Sequence, residues 1–242
     1  MSQKKQVKQI RTVGHEIPET LADHVFYGLT LDEQQTKFRD AIYSNKNKAI
    51  FCNAKAGSGK TTIAVCTATL MVRLGIFSEL VYLTGNGWAE NRVGFLPGSL
   101  AEKQLPYQLP LHQALLVANE DPDRAIKADM DFGYNKDDDA FVRAIGNSYI
   151  RGLNIGSKDA PVICIIDESQ NMNSIDLKTA ITRINEGSKL VCIGHSGQND
   201  LRDPSTSGFV PYLNHFAQKD WCEVCELTRN YRGDISSWAD DL

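Results

Sequence analysis

The stretch that decides the fold is Ala49-Ile50-Phe51-Cys52-Asn53-Ala54-Lys55-Ala56-Gly57-Ser58-Gly59-Lys60-Thr61-Thr62. A short apolar run enters a glycine-containing turn, and the turn opens a helical pattern from Thr61 to Leu74, closed by Gly75 at the C′ position. Strand, turn and helix in that order is the setting of a phosphate-binding loop. Glycine lets the backbone wrap close to phosphate oxygens with successive N–H groups pointing inward. The helix N-terminus adds its dipole. Ala56, Gly57, Ser58, Gly59, Lys60, Thr61 and Thr62 therefore read as the phosphate cradle. Lys60 reaches the β- and γ-phosphates, and the Thr61 hydroxyl takes Mg²⁺. Ala54 stands where G-x-x-x-x-G-K-[ST] has its first Gly, so that position needs a φ that an L-residue tolerates.

Outward from the loop, four more apolar runs follow: Leu80 to Leu83, Val162 to Ile166, Leu190 to Ile193, and a weaker one, Val224 to Leu227. Continuous rather than alternating apolarity means burial on both faces. Five such strands with helical patterns between them predict an α/β fold, a doubly wound and mainly parallel sheet. Leu31, Phe38 and Ile42 share a helix face before the first strand, with Thr30 placed to cap it. A helix from Ser174 to Ile184 follows the third strand, with Ser174 as its cap. Residues 1–28 read as a basic tail and lead-in, and 29–242 as a single domain. Within it, 85–161 carries Pro97, Pro106, Pro110, Pro122 and the acidic run Asp137 to Asp139. That stretch is expected to be an excursion of helices and loops contributing little core. Its scattered aromatics, Trp88, Tyr107, Phe132, Tyr134 and Tyr149, read as local packing.

The third strand leads straight into Asp167-Glu168, at the sheet edge where α/β proteins bind ligands. Asp167 is placed to hold Mg²⁺ through water, and Glu168 to polarise the water that attacks the γ-phosphate. Two adjacent acids beside a polyphosphate repel unless a cation lies between them. The adjacent Glu favours hydrolysis over transfer to a small acceptor. The fourth strand ends in Gly194-His195-Ser196-Gly197-Gln198, where Gln198 can orient water or sense the γ-phosphate and His195 reads as structural. Arg229 and Arg232 follow the fifth strand. Either can neutralise charge on the transferred phosphoryl group, the alternative being a surface salt bridge for each.

The 242 residues carry 26 Lys plus Arg against 30 Asp plus Glu, a net charge of −4, which withholds the broad basic footprint of a dedicated nucleic-acid binder. A local basic channel stays open. With 42% hydrophobic and 23% charged residues, collagen-like and wholly disordered chains are excluded. Uncharged apolar runs fall far short of the ~18 residues of a membrane span. Lys4, Lys5, Lys8 and Arg11 precede no apolar core, so they read as a solvated tail rather than a signal peptide. The expectation is a soluble cytoplasmic protein without a membrane partner. Cys52, Cys164 and Cys192 lie inside apolar runs and read as small buried hydrophobes. Cys222 and Cys225 form a lone C-x-x-C without the second pair that a zinc site needs.

Taken together, these segments resemble the PhoH-like family of P-loop ATPases, in the compact form found in bacteriophages. Four segments carry the resemblance, which spans about Leu29 to Arg232: the loop from Ala54 to Thr61; Gly94-Phe95-Leu96-Pro97-Gly98 with Glu102-Lys103 and Pro106-Tyr107; Ile166-Asp167-Glu168-Ser169-Gln170-Asn171; and Thr182-Arg183 with Gly187-Ser188-Lys189 and Gln198-x-Asp200. The family is similar to the first motor domain of superfamily 1 helicases. That similarity implies that Gln35 reads adenine and that Arg232, in Asn230-Tyr231-Arg232, touches the γ-phosphate ahead of Arg229. It implies ATP and Mg²⁺ as ligands. It implies one motor domain, which needs self-assembly (a homo-oligomeric ring) or a partner to act on RNA or single-stranded DNA. A non-hydrolysing ATP-binding switch and a helicase-like module are the alternatives. A phage-encoded chain would work in the host cytoplasm. Gly85 and His195 stand where the family usually has Arg and Asp.

Overall fold

A computed structural model of the protein describes residues 17–22, 24–85, 100–127, 139–146 and 150–240, with side chains left out at 100–107 and 240. The phosphate-loop strand is β1, Ala49–Ala54, and the loop opens α2, Lys60–Arg73. Before them lies α1, Glu33–Tyr43. After them come β2 (Leu80–Thr84), α3 (Leu100–Val117), α4 (Pro122–Ala125) and β3 (Val142–Gly146). The chain then runs through β4 (Ile163–Asp167), α5 (Ser174–Ile181), β5 (Lys189–Gly194), α6 (Phe209–Phe216), β6 (Cys222–Leu227) and α7 (Asp234–Asp240).

The six strands form one sheet in the order β3-β2-β4-β5-β1-β6, and every pairing is parallel. Side chains alternate between faces along each strand. Ile163 and Ile165 therefore join the core under α1, α2 and α3 with Ile50, Cys52 and Tyr82. Val162, Cys164 and Ile166 join the opposite core, with Phe51, Leu83, Leu177 of α5 and Phe209 of α6. Helices on both faces of a parallel sheet are the doubly wound architecture expected from the continuous apolar runs. Among the described residues no helix is long and apolar enough to cross a membrane.

Three expectations are corrected. The sheet has a sixth strand, β3, inside the stretch read as an excursion of helices and loops. β3 is an edge strand, so its sequence Val-Arg-Ala-Ile-Gly lacks the continuous apolarity of its neighbours. The same stretch also feeds both cores, through Leu111, Leu115 and Val142 on one face and Ile145, Ile150 and Ile155 on the other. The helix caps shift as well. Asp32, not Thr30, caps α1: its carboxylate accepts from Gln35 N–H at 2.7 Å, and Gln35 Oε1 accepts from Asp32 N–H at 3.1 Å. Asn173, not Ser174, caps α5, with Oδ1 accepting from Ile175 and Asp176 N–H, each at 2.9 Å. That helix ends at Ile181 rather than Ile184. The segment Gly94 to Gly98 and the aromatics Trp88, Phe132, Tyr134 and Tyr149 lie outside the described residues, as does the tail 1–16. Glu102, Lys103, Pro106 and Tyr107 belong to α3, in the part without described side chains.

The six cysteines are free, and all but Cys222 are buried. Burial pushes the Cys66, Cys192 and Cys225 thiols each up to about 12, which keeps them protonated and unreactive.

Candidate nucleotide and metal site

β5 lies between β1 and β4, so the phosphate loop and the Asp167-Glu168 pair flank the turn that follows β5 at one end of the sheet. Gly57 (φ 68°) and Gly59 (φ 82°) sit in the left-handed region, where glycine is the residue that fits without strain. A Cβ on Gly57 would also run into the Asn230 amide and the Arg232 side chain. Those neighbours belong to the segment after β6, which is tied to the loop by Tyr231 N–H donating to Gly57 O at 2.9 Å. Lys55 N–H donates to Leu227 O at 2.9 Å. The loop is thus closed on one side by β6 and its extension.

From α2, Thr61 Oγ1 donates to Asp167 Oδ2 at 2.8 Å, and Lys60 Nζ lies 3.6 Å from Glu168 Oε1. Asp167 is 1% exposed. Burial raises its pKa, and the Glu168 charge raises it further, against hydrogen bonds from Tyr82 and Thr61 and the Lys60 charge. Its Oδ2 accepts from the Tyr82 hydroxyl at 2.7 Å, and its Oδ1 from Glu168 N–H at 2.8 Å. Glu168 has φ 50° and ψ 37°, a left-handed conformation that costs a non-glycine residue about 1–3 kcal/mol. Gly85, at the end of β2, makes room for it: a side chain at 85 would collide with the Glu168 carbonyl. The Arg that the resemblance leads one to expect there would not fit beside this backbone.

The residues after Glu168 fasten it to the β5 turn. Gln170 Nε2 donates to Glu168 Oε2 at 2.6 Å, and Gln170 Oε1 accepts from His195 N–H at 3.0 Å. Ser169 Oγ donates to Ile193 O at 2.8 Å, and Asn171 Oδ1 accepts from Asp200 N–H at 2.8 Å. Ser196 N–H donates to Asn53 Oδ1 at 3.0 Å, which links the turn to the start of the loop.

The sequence-predicted residues do not all meet. Lys60, Thr61, Asp167 and Glu168 converge through direct contacts. Gln198 lies on the β5 turn, exposed, its N–H donating to His195 O at 3.1 Å. Arg232 is exposed and passes beside Gly57, whereas Arg229 stacks over the Tyr231 ring at 4.9 Å. Gln35 is buried with its amide engaged inside the protein: Oε1 takes Asp32 N–H, and Nε2 donates to Ser58 O at 2.9 Å. Ala56, Ser58 and Thr62 occupy the loop and the first turn of α2 as expected. Sequence reasoning missed Tyr82 and the bracing by Gln170 and by the Tyr231 N–H. The latter two stand inside quoted motifs, while Tyr82 carries no signal beyond one polar tip in an apolar strand.

The arrangement fits a divalent cation held partly by a nucleotide. Among the described residues no three His, Cys, Asp or Glu gather to hold a metal by themselves. A hydroxyl and one carboxylate suit Mg²⁺, which keeps waters and takes phosphate oxygens as ligands.

This fold and loop define a RecA-like P-loop protein of the nucleotide-binding class. The family described as PhoH-like protein matches residues 30–238, and the chain belongs to it. It is 27% identical over 231 residues to Protein PhoH2 of Bacillus subtilis, covering 91% of this chain and 48% of that protein. It is 30% identical over 194 residues to a PhoH-like protein of Mycobacterium tuberculosis, covering 80% and 51%. The chain thus spans about half the length of these relatives. Among solved structures, the large terminase of a thermophilic bacteriophage in complex with ADP shares the fold, with a TM-score of 0.52 at 14% identity, covering 86% of this chain and 48% of that one.

Proposed function

We propose that the protein hydrolyses ATP with Mg²⁺. The observation that carries this reading is the crossed pair of contacts between α2 and the end of β4, Thr61 to Asp167 and Lys60 to Glu168. Loop N–H groups and Lys60 would bind the β- and γ-phosphates. Thr61 directly, and Asp167 through water, would hold Mg²⁺, which when bound neutralises charge on the phosphates. Lys60 exchanges Glu168 for phosphate as the nucleotide enters, and this frees the carboxylate. Glu168 then accepts a proton from the attacking water as its oxygen bonds to the γ-phosphorus. The bond from that phosphorus to the β,γ-bridging oxygen breaks, leaving ADP and phosphate. Gln198 orients the water, and Arg232, beside Gly57, meets charge on the γ-phosphate. Gln35 supports the loop through Ser58, with its second amide N–H left to meet adenine.

Assembly is the second part of the reading. Ile235 and Trp238 of α7 are 90% and 81% exposed, just beyond Arg229 and Arg232. An apolar pair next to exposed guanidinium groups supports a homo-oligomer, such as a ring, in which one copy brings Arg229 to a neighbour's nucleotide.

The test is phosphate release from ATP, with Mg²⁺ or with EDTA, at several protein concentrations, with and without single-stranded RNA or DNA. Mg²⁺-dependent turnover lost in Lys60→Ala supports the site. A rise in specific activity with protein concentration supports assembly, and stimulation by either nucleic acid supports action on it. Tight ATP binding without phosphate release would make the protein a switch and remove the role given to Glu168.

A further inference from the structure

The end of β4 holds one contact that nucleotide chemistry alone does not require. Tyr82 lies mid-way along β2, level with Ile165 of β4, and is 1% exposed. Its ring packs in the core under α2, where a phenylalanine would fill the same space. Its hydroxyl instead reaches past Ile165 to Asp167 Oδ2 at 2.7 Å. A buried hydroxyl that donates to a buried carboxylate fixes the orientation of that carboxylate.

Asp167 receives three hydrogens on two oxygens: Thr61 Oγ1 and the Tyr82 hydroxyl on Oδ2, Glu168 N–H on Oδ1. The Thr61 hydroxyl has a single hydrogen, and while it is given to Asp167 the oxygen lone pairs remain for a cation. Tyr82 approaches from β2 and Thr61 from α2, so Oδ2 is held between the two hydroxyls.

We propose that Tyr82 is a positioning residue for the metal site, its hydroxyl pinning Asp167 Oδ2 so that the carboxylate is already oriented to accept from a water on the cation. This rests on the reading of Thr61 and Asp167 as the Mg²⁺ residues. Outer-shell hydrogen bonds of this kind are worth about 10–100-fold in metal affinity.

The experiment is a Mn²⁺ titration of the full chain in complex with ADP, followed by electron paramagnetic resonance of free Mn²⁺, for the wild type, Tyr82→Phe, Asp167→Asn and the double variant. Tyr82→Phe should weaken Mn²⁺ by about 10-fold and leave metal-free ADP affinity unchanged. In the Asp167→Asn background the same change should have no further effect, because Tyr82 acts through that carboxylate. A Tyr82→Phe titration overlaying the wild type overturns the proposal, as does an equal loss of metal-free ADP affinity or full additivity in the double variant. Should Tyr82→Phe not fold, 3-fluorotyrosine placed at 82 gives the answer: its ¹⁹F signal should move when Mg²⁺ joins the ADP complex, and an unmoved signal overturns the proposal. Failure of the underlying reading looks different, as the wild-type ADP complex and Asp167→Asn would then take up Mn²⁺ no more tightly than free ADP does.

Discussion

The two ends of the parallel sheet both bury charge, and they balance it in opposite ways. At the end where β2 and β3 begin, Glu79 is paired with two cations, Lys127 and Arg143, the latter at 2.7 Å. Where β5 begins, Lys189 Nζ donates to the carbonyls of Ile42 and Ser44, each at 2.7 Å, and so closes the C-terminus of α1. The Glu79 carboxylate and the Lys189 ammonium thus find their partners within the protein. At the other end two acids, Asp167 and Glu168, face one lysine, the backbone of Glu168 is left-handed, and glycines hold positive φ. The contrast separates scaffold from site. A closed set of charges holds strands in register, whereas an acid excess beside a phosphate loop is what the proposed cation site would use.

The largest expected effect tests the open end. Lys60→Ala should lower phosphate release by at least about 100-fold, and Glu168→Gln by about 10²–10⁴-fold with ADP binding retained. An active Glu168→Gln would break the contrast at once. Gly57→Ala comes next. The new methyl meets Asn230 and Arg232 at a φ of 68°, so melting and ADP titration should show a loss of about 1–3 kcal/mol in stability and weaker binding. Glu79→Gln should cost about 1–3 kcal/mol in a thermal melt and leave the KM for ATP within about twofold. A changed KM would mean that the closed end communicates with the site.

The smallest effect concerns pH. Burial pulls the Lys189 ammonium down to about 8, from an ordinary value of 10.5. Between those values the unfolded chain binds the proton and the folded chain does not, so stability rises with pH across that window. Below it the full cost of burying the ammonium is present. The stability of the wild type relative to Lys189→Met should therefore climb from about pH 8 to 10.5 in a series of melts. A flat difference would show that the two carbonyl acceptors hold the proton on.

Much of this was legible in the sequence because burial on both faces writes itself as unbroken apolarity. β1, β2, β4 and β5 appeared as such runs, and the loop and the acid pair stood at their ends. β3 was not legible because, at the sheet edge, Arg143 and Gly146 break up its apolar residues. The cap of α1 was misread because Thr30 and Asp32 are both good caps, and only the reciprocal bond with Gln35 chooses between them. Lys60, Thr61, Asp167 and Glu168 could be named from local motifs. Tyr82 could not, since its partner is supplied by the parallel register that sets Thr84 against Asp167. The hold of Tyr231 N–H on Gly57 was hidden for the same reason, being a contact between distant parts of the chain.

The all-parallel sheet also sets an order of events during synthesis. β1 pairs only with β5 and β6, so Ala49 waits for Leu190 and Cys222. At about 5–20 residues per second, the loop strand has neither neighbour for several seconds or more after it is made. Nucleotide is therefore captured by the finished sheet, and a ribosome-stalled chain ending before β5 should hold the whole phosphate-loop sequence yet retain no ADP.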